Sequence, residues 1–239
     1  MNYAVILSGG VGNRLKGIDV PKQYFKVKGR TILSYSVEVI EKSACVDAYV
    51  IAAAKEWQEE IINEMYRKVK KGETERKKFL GFALPGENRQ LSVLNGLRVL
   101  KDCAKENDII LIQDAVRPLT SDNLICACIK AAEKAEGAMP VLKMADTVYY
   151  SADGCKIDSL LERDKILAGQ APEAFRYGVY LRANEILTKE ELLQIKGSSE
   201  PAVKAGMHMA LVDGEEGNFK ITTAADLRRF EQLAGAREI

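Results

Sequence analysis

Short apolar runs alternate with longer amphipathic stretches along most of the chain. Tyr3–Leu7, Tyr49–Ala53, Phe79–Leu84, Ile109–Ile112 and Ala138–Leu142 are each four to six residues long and rich in apolar or β-branched types. Continuous runs of this length predict strands buried on both faces. Between them the apolar positions take helical spacing. Thr31 caps a helix carrying Ile32, Leu33, Val37 and Ile40, and further helices are predicted over Glu56–Lys70, Arg89–Leu100 and Leu124–Ala135. Strand and helix in alternation make βαβ units, hence a mostly parallel sheet with helices on its faces. In such sheets ligands bind beyond the carboxyl ends of the strands. Four unusual local sequences fall at those ends: Ser8–Arg14, Gly86–Ser92, Gln113–Pro118 and Asp146–Thr147.

The alternation breaks between about residues 145 and 170. There Thr147–Tyr150, the turn Ser151–Gly154 and Ile157 read as a protruding β-hairpin. Late strands are predicted at His208–Val212 and Phe219–Ile221, and a closing helix at Ala224–Leu233 capped by Thr223. One domain over 1–239, with the hairpin as a subregion, accounts for the whole pattern.

Composition narrows the function classes. Thirty-five Lys and Arg against thirty-four Asp and Glu leave a net charge of +1. That excludes a general binder of nucleic acid or of membrane surface, which needs a basic field. The amino terminus has no basic segment before its short apolar run, and no stretch approaches the ~20 apolar residues of a membrane span. A cytoplasmic protein is expected. The five cysteines are odd in number and contain no C-x-x-C pair, so reduced thiols are expected rather than a disulfide framework or a zinc ribbon. The single histidine, His208, lies in the alternating run MHMALV and reads as a strand residue. Multi-histidine metal sites are thereby excluded. The basic run Arg67–Lys78 reads as a solvated helix end and loop.

The chemistry-bearing residues cluster at the predicted strand ends. Gly9, Gly10 and Gly12 follow the first strand and can present backbone N–H groups to phosphate oxygens. The spacing is neither a P-loop nor G-x-G-x-x-G. Arg14 and Lys22 follow closely, and a triphosphate needs such cations as well as a backbone nest. Asp114 can cap its turn or hold Mg²⁺, an ion that takes one or two carboxylates with phosphate oxygens. Lys220 is either a third phosphate cation or simply exposed.

Seven ordered motifs span the chain: L-S-G-G-x-G-x-R (Leu7–Arg14), P-K-Q-Y (Pro21–Tyr24), G-E-x-R-x-x-S-V (Gly86–Val93), D-A-V-R-P (Asp114–Pro118), D-T-V (Asp146–Val148), G-Q-x-P-x-x-F (Gly169–Phe175) and N-x-K-I-T-T (Asn218–Thr223). With them the sequence resembles the cytidylyltransferases of polyol phosphates, the ribitol-5-phosphate and 2-C-methyl-D-erythritol 4-phosphate enzymes. The resemblance implies an α/β, Rossmann-like sheet of the nucleotide-diphospho-sugar transferase type with a projecting β-arm. It implies the reaction of CTP with a polyol phosphate to give a CDP-polyol and pyrophosphate, aided by Mg²⁺ or another divalent cation. It further implies a homodimer formed through the arm.

Carried over by position, Leu7, Ser8, Gly9, Gly10 and Gly12 correspond to the triphosphate loop, and Arg14, Lys22 and Lys220 to the catalytic cations. Gly86, Glu87, Arg89 and Ser92 correspond to the cytosine and ribose contacts, and Asp114 to the metal ligand. Asp146, Thr147 and Arg163 correspond to the acceptor site, with Arg163 supplied by the arm of a neighbouring subunit. Two departures fall on the expected acceptor side. Ala171 replaces the threonine of Q-T-P, and Gly197–Val203 (GSSEPAV) stands where relatives carry T-D-D/E-A. The doubled glycine, Val116 and Gly169–Gln170 are closer to the ribitol-5-phosphate branch, with the methylerythritol branch as the alternative. Intact Arg14, Lys22, Asp114 and Lys220 argue against a binding protein that has lost catalysis, and P-K-Q-Y and D-A-V-R-P are not the usual continuation in a sugar-1-phosphate nucleotidyltransferase.

Overall fold

The structure, a computed structural model, describes residues 1–10, 20–66 and 78–236. Its strands are β1 (Asn2–Leu7), β2 (Lys26–Val27), β3 (Arg30–Thr31), β4 (Ala48–Ala52), β5 (Phe79–Ala83), β6 (Ile109–Asp114), β7 (Gly137–Lys143), β8 (Val148–Tyr150), β9 (Ser159–Leu161), β10 (Leu167–Gly169), β11 (Glu173–Arg176) and β12 (Met209–Asp213). Its helices are α1 (Ile32–Lys42), α2 (Lys55–Tyr66), α3 (Arg89–Val99), α4 (Asp122–Lys134), α5 (Tyr177–Glu185), α6 (Lys189–Gln194), α7 (Ser199–Lys204) and α8 (Ala224–Ala236).

The described residues form a main sheet ordered β10-β7-β11-β6-β1-β4-β5, with β12 also on β7. β1 pairs parallel with β4 and β6, and β4 pairs parallel with β5. The register Leu7↔Asp114 sets the glycine turn after β1 beside the carboxylate at the end of β6. Alternation along each strand divides the core. Ala4, Ile6, Tyr49 and Ile51 pack with Leu33, Val37 and Ile40 of α1 and Leu124, Ile125 and Ile129 of α4. Tyr3, Val5, Val50 and Ile110 pack on the other face with Val93 and Leu97 of α3 and Tyr180 of α5. Thr31 caps α1 by accepting from Ser34 N at 3.2 Å, as expected of a threonine before a helical run.

β8 and β9 form a separate antiparallel ribbon, the expected arm, with Tyr149, Tyr150 and Leu160 exposed. Other expectations need correction. Cys45 and Cys126 are joined by a disulfide with Cα atoms 5.5 Å apart, whereas all five cysteines were expected to be reduced. The fold brings the segment before β4 against α4 across 81 residues of sequence, a proximity that spacing does not encode. Phe219–Ile221 is loop and not strand. His208 lies exposed just before β12 instead of inside a strand. β10 and β11 are antiparallel strands of three and four residues, in a stretch whose pattern predicted neither.

Candidate functional site

A cleft of about 450 Å³ opens at the carboxyl ends of β1, β5 and β6. Two close contacts shape its floor. A Cβ at Gly9 would lie 2.2 Å from Pro85 Cβ, and one at Gly86 would lie 2.3 Å from Leu91 Cβ. The turns after β1 and β5 therefore touch, and no larger residue fits either position without displacing backbone. The glycine turn is held from beneath by the P-K-Q-Y segment. Gln23 Nε2 donates to Ser8 O and Gly10 O, each at 2.7 Å, and the Tyr24 hydroxyl donates to Ser8 O at 3.0 Å. Both side chains are buried, which leaves Lys22 on the cleft wall with its Nζ donating to Ile221 O at 3.0 Å.

The turn before α3 is fixed in the same way. Ser92 Oγ accepts from Gly86 N at 3.0 Å and donates to Asn88 O at 2.9 Å, while Asn88 caps the helix. Glu87 is exposed and ion-paired to Lys189 of α6.

At the centre lies Asp114, 6% exposed. Its Oδ1 accepts from Arg89 Nε at 3.2 Å and Nη2 at 3.1 Å. Its Oδ2 lies 3.0 Å from Lys220 Nζ and 3.4 Å from Arg117 Nε. Burial alone would raise the pKa of this carboxyl. The ion pairs to Arg89, Lys220 and Arg117 outweigh burial and hold it well below the usual carboxylate range. Behind Arg89 lies Glu173 of β11, 8% exposed, whose carboxyl is pushed up to about 7 by burial against the opposing pull of Arg89 and the Ser198 hydroxyl. Arg89 Nη1 also donates to Ser198 Oγ, at the start of α7.

Glu173 gives a stability prediction. A carboxyl whose folded pKa is raised costs nothing below its unfolded value near 4.5. The cost builds as pH rises from there to about 7 and is complete above that value. Glu173→Gln is therefore expected to stabilise the protein at pH 8 by up to about 3 kcal/mol and to change it little at pH 4.5. Urea unfolding at the two pH values checks this, and an equal effect at both refutes it.

Leu7, Gly9, Gly10, Lys22, Gly86, Glu87, Arg89, Ser92, Asp114 and Lys220 all line the cleft. Ser8 does not line it and instead bonds Tyr24 beneath it. Gly12 and Arg14 lie outside the described residues. Asp146 and Thr147 are exposed at the base of the arm, and Arg163 Nη1 donates to Ala145 O at 2.9 Å. None of these three lines the cleft. Sequence reasoning missed Gln23, Arg117 and Ser198. The first two stood within quoted motifs, and Ser198 stood within the Gly197–Val203 segment, noted only for the residues it lacks. The Gly197–Val203 segment, expected on the acceptor side, thus reaches Arg89 as well.

Among the described residues no group of three His, Cys, Asp or Glu side chains could hold a metal. One ionised carboxylate in a cationic cleft fits a divalent ion that draws its other ligands from phosphates and water. No helix among the described residues is long and apolar enough to cross a membrane.

The family described as IspD, 2-C-methyl-D-erythritol 4-phosphate cytidylyltransferase, matches residues 2–235. A ribitol-5-phosphate cytidylyltransferase of Streptococcus agalactiae is 30% identical over 244 residues, covering 100% of this chain and 97% of the relative. A 2-C-methyl-D-erythritol 4-phosphate cytidylyltransferase of Geobacter metallireducens is 33% identical over 232 residues, covering 94% of each. Among solved structures, the 2-C-methyl-D-erythritol 4-phosphate cytidylyltransferase of Francisella tularensis superimposes with a TM-score of 0.78 at 24% identity, covering 97% of this chain and 98% of that one. This last likeness establishes the fold.

Proposed function

The chain belongs to the IspD family of cytidylyltransferases, and we propose that it transfers CMP from CTP to a linear pentitol phosphate of the ribitol 5-phosphate type. Cytidylyl transfer to a polyol phosphate is the activity that its relatives share by name. The finer reading, the acceptor, is supported by the doubled glycine of Leu7–Gly10, by Val116 and Gly169–Gln170, and by the full-length match to the ribitol-5-phosphate relative. The Geobacter relative supports methylerythritol 4-phosphate as a second reading.

The observation that carries the nucleotide side is the cationic cleft at the strand ends. Gly9 and Gly86 let the turns pack closely and Gly10 stands open on the cleft, while Arg89 and Lys220 pair with Asp114 and Lys22 adds its charge to the wall. In the reaction an acceptor phosphate oxygen forms a bond to the α-phosphorus of CTP, and the bond from that phosphorus to the β-phosphate oxygen breaks. The pyrophosphate leaves with the electron pair. A phosphate monoester is largely dianionic near pH 7, its second pKa being about 6, so the attacking oxygen needs no general base. The only histidine does not line the cleft. The work left to the protein is alignment and stabilisation of charge on the transferring phosphoryl group. Lys22, Lys220 and Arg14 take that role, with Ser8–Gly10 and Gly12 as the phosphate turn. Gly86, Glu87, Arg89 and Ser92 hold the nucleoside. Asp114 is the protein ligand for Mg²⁺, which offsets triphosphate charge when bound. Asp146, Thr147 and a neighbouring subunit's arm, through its copy of Arg163, complete the acceptor side in a homodimer.

Pyrophosphate release tests the whole reading. CTP is expected to be used in preference to ATP, GTP and UTP, and excess EDTA to stop turnover. Equal use of the four nucleotides overturns it. Across a panel of polyol phosphates, ribitol 5-phosphate is expected to exceed methylerythritol 4-phosphate in kcat/KM by a factor of about 5–150. That range corresponds to one unpaired buried hydroxyl at about 1–3 kcal/mol. The reverse order assigns the chain to the other acceptor.

A further inference from the structure

Asn218 opens the N-x-K-I-T-T segment, is fully buried and does not line the cleft, yet it lies at the meeting point of three loops. Its Nδ2 donates to Ala171 O at 2.7 Å, in the turn between β10 and β11. Its Oδ1 accepts from Thr120 Oγ1 at 2.9 Å, in the loop between β6 and α4. Its carbonyl accepts from Arg117 Nη1 at 2.5 Å, and Arg117 in turn reaches Asp114. Three residues on, Ile221 N donates to Val116 O at 2.9 Å. The short span from Asn218 to Ile221 is thus pinned at both ends to the loop that follows Asp114. Between the pins sits Lys220, with its Nζ 3.0 Å from Asp114 Oδ2. The far pin supplies the carbonyl that receives Lys22 Nζ at 3.0 Å.

We propose that Asn218 is a positioning residue for phosphoryl transfer: by joining Ala171, Thr120 and Arg117 it sets Lys220 and the Ile221 carbonyl, and through that carbonyl the Lys22 ammonium, against the reacting phosphates. The inference rests on the cytidylyl-transfer reading and goes beyond it. A side chain that contacts no substrate governs where two cations stand, and it ties them to the turn bearing the substituted Ala171. The chemistry explains why an amide occupies this position. Ala171 O demands a donor, and Thr120 Oγ1, which accepts from Gln113 Nε2 at 3.0 Å, has one proton to share between Arg117 O at 3.0 Å and Asn218 Oδ1 at 2.9 Å. Asparagine offers one donor group and one acceptor on a short side chain. Aspartate lacks the donor, and alanine lacks both. An unpaired buried carbonyl is relieved by movement of its loop, and a shift of about 1 Å in a catalytic group can cost about 10²-fold in rate.

The test is a double-mutant cycle of Asn218→Ala with Lys220→Ala, following kcat, the KM for CTP and thermal unfolding. Asn218→Ala is expected to lower kcat by about 10- to 100-fold with less than about threefold change in KM for CTP. In the Lys220→Ala background the same substitution is expected to cost at least about threefold less than in the wild type, because one of the two cations it positions is gone and only its hold on Lys22 remains. Asn218→Asp keeps the volume and the Thr120 contact while losing the donor to Ala171. It is expected to reproduce the kcat loss, and it carries the cycle if the alanine variant does not fold. An equal loss of kcat in both backgrounds, or a lowered unfolding midpoint with kcat retained, overturns the proposal. Turnover of CTP by the unsubstituted enzyme checks the underlying reading separately, so an additive cycle in an active enzyme counts against Asn218 alone.

Discussion

Lys22→Ala is expected to lower kcat for cytidylyl transfer by about 10²–10³-fold, the range found on removing one preorganised charge-stabilising group, and to move the KM for CTP far less. The lysine stands on the cleft wall, held by buried Gln23 and Tyr24 on one side and by the Ile221 carbonyl on the other. A cation fixed in this way needs little rearrangement when negative charge develops on the α-phosphate, so it stabilises the transition state more than bound CTP. Initial rates at saturating CTP with varied acceptor, and the converse, separate the two parameters. A variant with near wild-type kcat and a raised KM would make Lys22 a ground-state phosphate contact instead.

Asp114→Ala has the other large expected effect, on folding as well as turnover. Arg89, Arg117 and Lys220 converge on this one carboxylate, and its removal leaves three like charges facing each other in a mostly buried place. Losing one partner of a buried ion pair costs about 3–5 kcal/mol, and the lower end is expected because the Lys220 side chain is 34% exposed. The sign with pH follows from the depressed pKa. The stabilisation by Asp114 is complete above the ordinary carboxylate range and is lost as pH falls through its lower folded value. The gap between wild type and variant in urea midpoint should therefore narrow in strong acid. A loss under about 1 kcal/mol at pH 7 would show that the cations find other partners.

The sequence displayed the parallel half of the fold well, because β1, β4 and β6 are continuous apolar runs with both faces buried. It displayed β10 and β11 poorly. Strands of three and four residues carry too few positions to establish a period, and their partners on β6 and β7 are distant in sequence. Phe219 and Ile221 imitated the alternation of a strand. Ile221 is in fact buried against α8 beside Phe230, and the Phe219 ring lies under Arg229. Two apolar residues anchoring a loop look the same as two in a strand. In the site, the glycines and cations were legible because their chemistry is distinctive. Ser198 was not, because a serine acquires meaning only through the arginine that the fold sets against it. Gln23 and Asn218 stood in plain view within recognised segments, and what hid them was that they act on backbone groups, which sequence does not differentiate.

The order of strands also bears on how such a protein can diverge. β1, β4 and β5 lie on one side of β6, and β7, β10, β11 and β12 lie on the other. The turns that hold the glycines grow from the first group, while the arm and the substituted Ala171 turn grow from the second. Substitutions in one half therefore leave the hydrogen-bonded ladders of the other untouched, with β6 as their common border. The turns beyond that border can therefore change without altering the strand pairing that holds the glycine turns. Relatives named for two different acceptors both match this chain almost end to end, at 30% and 33% identity.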